Sequence, residues 1–195
     1  PPGAPPGTLI PDPAAPGPVI RLIAYSSGEY IEQTVTNVST ISESLARWPV
    51  TWIDVDGLGD VDTVAKLAEM LGLHPLAVED TVTSHQRAKV EHYHDHLFVV
   101  IHMAGNGRGL ETEQLSMFLG KNFVVTFQQG VPGDPFDAVR DRLRKGISHI
   151  RHAGPDYLAY SLIDAVIDGY FPVLETLGEH LENLEDDILA HPTPQ

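Results

Sequence analysis

Glu79 and Asp80 are adjacent carboxylates at the end of an apolar helical turn, Leu76-Ala77-Val78, with no thiol and no obvious nucleophile beside them. Hard oxygen donors of this kind suit magnesium or calcium. The pair also reads as a helix C-terminus running into solvent, or with Asp80 paired to Arg87 or Lys89, and the residues alone leave the choice open. His92, His94 and His96 alternate, so on a continuous strand their rings would share one face and could hold a transition metal. A hairpin tip at residues 94–96 would make the rings diverge and leave turn histidines in solvent. His149 and His152, near a basic helix, read as surface residues. Gly105-Asn106-Gly107-Arg108-Gly109 sits between two strands with no helix after it, the pattern of a hairpin connection rather than a nucleotide loop. Neither a Gly-x-Ser-x-Gly elbow nor a Walker loop is present, so enzyme signatures are missing.

The elements that must position these groups follow from pattern. Val19–Tyr25 and Tyr30–Val35 read as a strand pair about Ser26–Glu29, and Val50–Gly57 as a further strand after a helical turn at Ser42–Trp48. Val61, Val64, Leu67, Ala68 and Leu71 recur at helical spacing between an Asp60 cap and a Gly72 stop. His74-Pro75 opens a short helix to about Val82. Ala88–Tyr93, Leu97–Met103, Glu113–Leu119 and Asn122–Phe127 read as strands, and Phe136–Lys145 as a basic amphipathic helix. Hairpins alongside crossovers predict an α+β or mixed α/β fold: an α/β/α sandwich with a mixed sheet, followed by a long helical, coiled-coil-like segment. Three parts are expected: a Pro/Gly-rich disordered tail or linker over 1–18, an α/β domain over 19–152 and a long acidic helix over 153–195.

That last helix is expected to run unbroken from about Asp156 to Leu189. Tyr160, Ile163, Ile167, Tyr170, Leu174, Leu177, Leu181, Leu184 and Ile188 are spaced alternately three and four apart, a heptad seam. Pro172 lies off the seam and is expected to kink the helix without ending it. Asp164, Asp168, Glu175, Glu182 and Glu185 flank the stripe, and residues 153–195 hold nine acidic residues and no Lys or Arg. Cations, the basic stretch Arg140, Arg142, Arg144, Lys145 and Arg151, or a basic helix outside the chain would have to offset that charge. A solvated acidic face on an ordinary helical hairpin is the plainer reading. If the seam is packed, replacing Leu177 or Leu181 with Asp should cost a few kcal/mol.

Composition narrows the classes. The 195 residues carry 12 Lys and Arg against 27 Asp and Glu, a net charge of −15, which argues against nucleic-acid partners. At 42% hydrophobic residues a proper core is affordable, and the lack of cysteine removes disulfides, thiolate zinc sites and cysteine nucleophiles. The best apolar run, Tyr157–Leu174, is interrupted by Asp164, Asp168, Gly169 and Pro172 and cannot span a bilayer. A start without methionine and an end just after a helical pattern read as a piece of something longer, with neither signal nor transit peptide visible.

Gly72-Leu73-His74-Pro75-Leu76-Ala77-Val78-Glu79-Asp80, continuing through His85-Gln86-Arg87-Ala88-Lys89-Val90-Glu91, closely resembles the cytoplasmic domain of the CorA family of magnesium and cobalt transporters. Trp52–Gly57, Asn122–Phe127, Asp156-Tyr157-Leu158, Leu162-Ile163-Asp164 and Asp168–Pro172 agree in the same order, so the resemblance covers roughly Trp52 to Leu189. Ala88 stands where the family often has proline. The resemblance implies a homopentamer whose cytoplasmic domain feeds a stalk helix into two membrane helices, with the full-length protein in the inner cell membrane and this part on the cytoplasmic side. The membrane would be reached only through a C-terminal region absent here. It further implies that Mg2+, and possibly Co2+, binds between neighbouring domains and favours a closed pore. Glu79 and Asp80 match the family's acidic pair, with Asp80 the primary ligand and Asp164 or Asp168 as helpers. Three rivals stand beside it. The ten histidines keep a ZntB-like zinc transporter in play. A metal-dependent hydrolase would use Glu79, Asp80 and a histidine, and a purely structural oligomerisation module would associate without regard to metal.

Overall fold

A computed structural model describes residues 5–83, 85–105, 111–146 and 149–190. Seven strands form one sheet: β1 (Val19–Tyr25), β2 (Tyr30–Val35), β3 (Val50–Asp56), β4 (Lys89–His92), β5 (Leu97–Ala104), β6 (Thr112–Leu119) and β7 (Phe123–Gln128). Their order across the sheet is β2-β1-β3-β7-β6-β5-β4. Only the central β3/β7 pair runs parallel, with Ile53 opposite Val125. All the other neighbours are antiparallel. The mixed sheet is therefore as expected.

Period-two alternation sends each strand's apolar residues to two separate cores. On one face Leu22, Ile53, Val55, Phe98, Val100 and Phe118 pack beneath α1 (Ile41–Arg47), α2 (Val61–Leu71) and α3 (Pro75–Val82). On the other, Ile23, Trp52, Val99, Leu115 and Met117 pack beneath α4 (Asp137–Lys145) and α5 (Pro155–Asp168). Local chemistry sets the helix ends. Asp60 accepts the N–H groups of Asp62 and Thr63 to start α2, and Gly72 stops it at φ +65°, a left-handed conformation that glycine adopts without strain.

Residues 5–18 form neither helix nor strand, yet they lie against the sandwich. Leu9 packs on the first core, and Gly59 N–H donates to Pro16 O at 2.8 Å. Of the glycine-rich stretch at 105–109, only Gly105 falls within the described residues, and its N–H donates to Glu111 O.

The acidic C-terminal segment departs from expectation. It is two helices, α5 and α6 (Phe171–Ala190), separated at Gly169 and Tyr170. Pro172 explains the break, because it has no N–H to donate and its ring would collide with the carbonyl of Asp168 in a continuous helix. Tyr170 N–H turns instead to Ile167 O at 3.1 Å, tightening the last turn.

The seam also differs. Ile163 and Tyr170 pack against the second core, but Tyr160, Ile167, Leu174, Leu177, Leu181, Leu184 and Ile188 are exposed. Leu181 is 59% exposed. In place of the few kcal/mol expected of a packed seam, Leu181→Asp should therefore change stability by less than about 0.5 kcal/mol, and an unchanged urea midpoint checks it. Among the described residues no helix is long and apolar enough to cross a membrane.

Candidate functional site

His74 starts α3 by accepting Leu76 N–H on its ring nitrogen, and Pro75 supplies the fixed φ of a first helical residue. The helix buries Ala77, Val78 and Thr81, which leaves Glu79 and Asp80 half-buried at its rim. Among the described residues, each carboxylate has a charged or polar partner. Glu79 Oε2 accepts Gly7 N–H at 2.7 Å. Asp80 Oδ2 accepts the Lys89 ammonium at 2.6 Å, and the same ammonium reaches Glu91 Oε1 at 2.9 Å. Of the two partners considered for Asp80, Lys89 is the one present.

Burial pulls the Lys89 ammonium down, but its hydrogen bonds to Asp80 and Glu91 outweigh this and hold it above its ordinary value. The Lys89 hydrogen bond holds Glu91 below its own. Tyr93 Oη donates to the other oxygen of Glu91 at 2.9 Å.

The backbone beneath Asp80 is fixed by a residue that pattern reading passed over. Gln114, 4% exposed on β6, donates its amide to Asp80 O at 3.1 Å and to Thr83 O at 3.4 Å. Its carbonyl accepts Gln86 N–H at 2.9 Å. The signal was a glutamine at a core-facing position of an apolar strand, where a buried amide must find partners.

Asp164 and Asp168 lie elsewhere. Both are exposed on α5, on the opposite layer of the sandwich, where they line a cleft of about 380 Å³ with Pro135, Ala138, Arg142 and Ala165. The structure thus does not bring them to Glu79 and Asp80 within one chain. Of the basic stretch, Arg142 faces this cleft, whereas Arg140 is buried against Asp54 and Asp134, and Arg144 pairs with Glu32.

The three alternating histidines do not converge. His92 ends β4 opposite Leu97, His94 is exposed in the turn, and His96 is buried. Tyr93 N–H donates to His96 O at 2.9 Å, which closes the turn and separates the rings. His96 stacks on Tyr93, which stacks on His74. Burial, and then the neighbouring His74, hold the His96 imidazole below its ordinary value, so it favours the neutral form of a core residue.

Among the described residues no three or more His, Asp or Glu side chains gather as a cage. That is poor for zinc, which takes three or four protein ligands. Mg2+ keeps several waters and binds through one or two carboxylates. An ion held by Glu79 or Asp80 would need its remaining donors from water or from another chain.

Comparison with known proteins agrees with the resemblance. The family described as "CorA-like Mg2+ transporter protein" matches residues 49–195. The cobalt/magnesium transport protein CorA of Thermotoga maritima is 39% identical over 198 residues, covering 97% of this chain and 55% of that protein. The chain thus spans about half the length of that relative, and less of the others it matches. In fold, the soluble domain of CorA from Methanocaldococcus jannaschii superposes with a TM-score of 0.67 at 17% identity, covering 88% of this chain and 64% of that one. The ZntB cytoplasmic domain from Vibrio parahaemolyticus does so at 0.66 and 12%, covering 86% and 65%. The curated relatives are named as transporters, which sets the hydrolase reading aside. A match over three-quarters of the sequence, with the fold to go with it, places the chain in the CorA-like Mg2+ transporter family.

Proposed function

We propose that this chain is the soluble regulatory part of a CorA-type transporter of Mg2+ or Co2+, and that it senses Mg2+ through Glu79 and Asp80 at a site shared with a neighbouring copy in a homopentamer. The observation that carries the reading is the end of α3, where two adjacent carboxylates stand at the surface on a backbone that Gln114 holds in place. One chain offers few donors, so it holds an ion weakly by itself and a second chain would strengthen the hold. Such a bridge stabilises whichever assembly brings the subunits together, in proportion to its preference for that state. A pore closed by occupied sites would reopen as Mg2+ falls. Zinc has less support, since His92, His94 and His96 point apart.

Asp80→Ala in the full-length protein tests the proposal. Losing one carboxylate charge beside a divalent ion should raise the Mg2+ needed for half-maximal protection from protease by about ten-fold. Unchanged protection would overturn the sensor reading.

A further inference from the structure

We infer that Lys89 is a built-in competitor for the divalent cation at Asp80, its ammonium occupying the carboxylate until the ion displaces it and thereby setting the concentration to which the site responds. This rests on the reading of Asp80 as a metal ligand.

The two groups are held face to face by separate parts of the fold. Lys89 is fixed in the ladder of edge strand β4 opposite Val100, and the stem lies so that its Nζ is 5.5 Å from the centre of the Phe98 ring. Asp80 is fixed by the Gln114 bond to its carbonyl. Neither element has to move for the 2.6 Å contact to form, so the chain supplies a cation to this carboxylate whenever no other is bound.

The contact is also built to be broken. Both side chains are 26% exposed, so solvent and a hydrated ion reach them. On release the ammonium keeps Glu91, already 2.9 Å away, and Glu91 is in turn steadied by Tyr93. Displacement therefore leaves no charge without a partner, the circumstance that makes removing one member of a pair costly. A divalent ion brings twice the charge of the group it replaces, and a monovalent one does not, so the exchange favours ions such as Mg2+. An ion pair with this exposure is worth about 1 kcal/mol, which as a competitor weakens metal binding about five-fold.

The test is a Mg2+ titration of this chain followed by the amide resonances around residue 80, on the wild type and on Lys89→Met, Lys66→Met and Asp80→Asn. Methionine keeps an unbranched side chain of similar length, and a retained spectrum and melting temperature show that each variant is folded. Lys89→Met should bind Mg2+ about five-fold more tightly than wild type, whereas Lys66→Met, which removes the same charge from an exposed position on α2, should leave binding unchanged. Wild-type affinity in Lys89→Met, or an equal gain in Lys66→Met, overturns the inference while Asp80-dependent binding keeps the sensor reading. Shifts that survive Asp80→Asn undiminished overturn both.

Discussion

Arg140→Met should lower the stability of the chain by about 3–5 kcal/mol, the cost of stranding buried carboxylates. Arg140 is 3% exposed, and one guanidinium nitrogen reaches Asp54 Oδ2 and Asp134 Oδ2 at 2.6 Å each, while the other donates to Asp134 Oδ1 at 2.8 Å. The remaining oxygen of Asp54 accepts from Thr126 Oγ1 at 2.8 Å and Gln128 Nε2 at 3.0 Å, and Thr126 in turn accepts the Trp52 indole N–H. The network ties α4 to the central β3/β7 pair. Lysine cannot serve both carboxylates as a planar fork, so Arg140→Lys should recover only part of the loss. For a chain of this size the melting temperature of Arg140→Met should fall by about 10 °C. Arg144→Met, which removes an exposed guanidinium from Glu32, should cost under about 1 kcal/mol.

Acid should narrow the gap between wild type and Arg140→Met. Burial pushes the Asp134 carboxyl up, but the hydrogen bonds and charge of Arg140 more than offset this and hold it below its ordinary value. Stability from a depressed carboxyl is complete above the ordinary carboxylate range and is lost as pH falls through it toward the native value. Without Arg140 only the hydrogen bonds from Phe136 N–H and Gln128 oppose the burial of Asp134, so less stability depends on its ionised form and acidification costs the variant less than the wild type. A wild-type-like midpoint for Arg140→Met at neutral pH would show that the network carries little of the stability.

Much of the layout was legible because alternation and helical spacing are local signals. β1, β2 and the span of α2 sit where the residues place them, and Asp60 and Gly72 bound α2 by the chemistry that marks them. Pro172 reads as a kink because it lies off a heptad spacing that continues across it, yet spacing cannot show whether the seam is packed, and in one chain most of it is not. The Glu79-Asp80 pair stood out by residue type. Its partner Lys89 was one of two open choices, since only the fold decides which base on the following strand reaches back to the helix. Asp164 and Asp168 share the acidic chemistry, but the sheet stands between them and α3, a separation no spacing along the chain reveals. Arg140 reads as a helix-surface base until the strand that buries it is known.

Gln114→Leu should cost about 2–3 kcal/mol and loosen the acidic end of α3, because it takes the side-chain partner from two carbonyls and an amide at a part-buried place. The side chain serves Asp80 O, Thr83 O and Gln86 N–H together, closing the loop between α3 and β4 onto β6. Leucine is close in volume, so the packing loss is small and the polar groups carry the effect. The consequence reaches further than stability. Gln86 O lies 2.9 Å from the His102 ring nitrogen, and His102 O accepts the Tyr170 hydroxyl at 2.9 Å, so the chain of bonds continues from Asp80 to the α5–α6 junction. Releasing its first member should raise hydrogen exchange at residues 80–83 and 85–87 well before global unfolding, since local opening needs only the bonds that are lost. Exchange rising evenly across the domain would mean that Gln114 is merely one more core residue. Exchange confined to the loop, with weaker Mg2+ binding beside it, would show that the backbone beneath Asp80 must be held still for its carboxylate to act as a ligand.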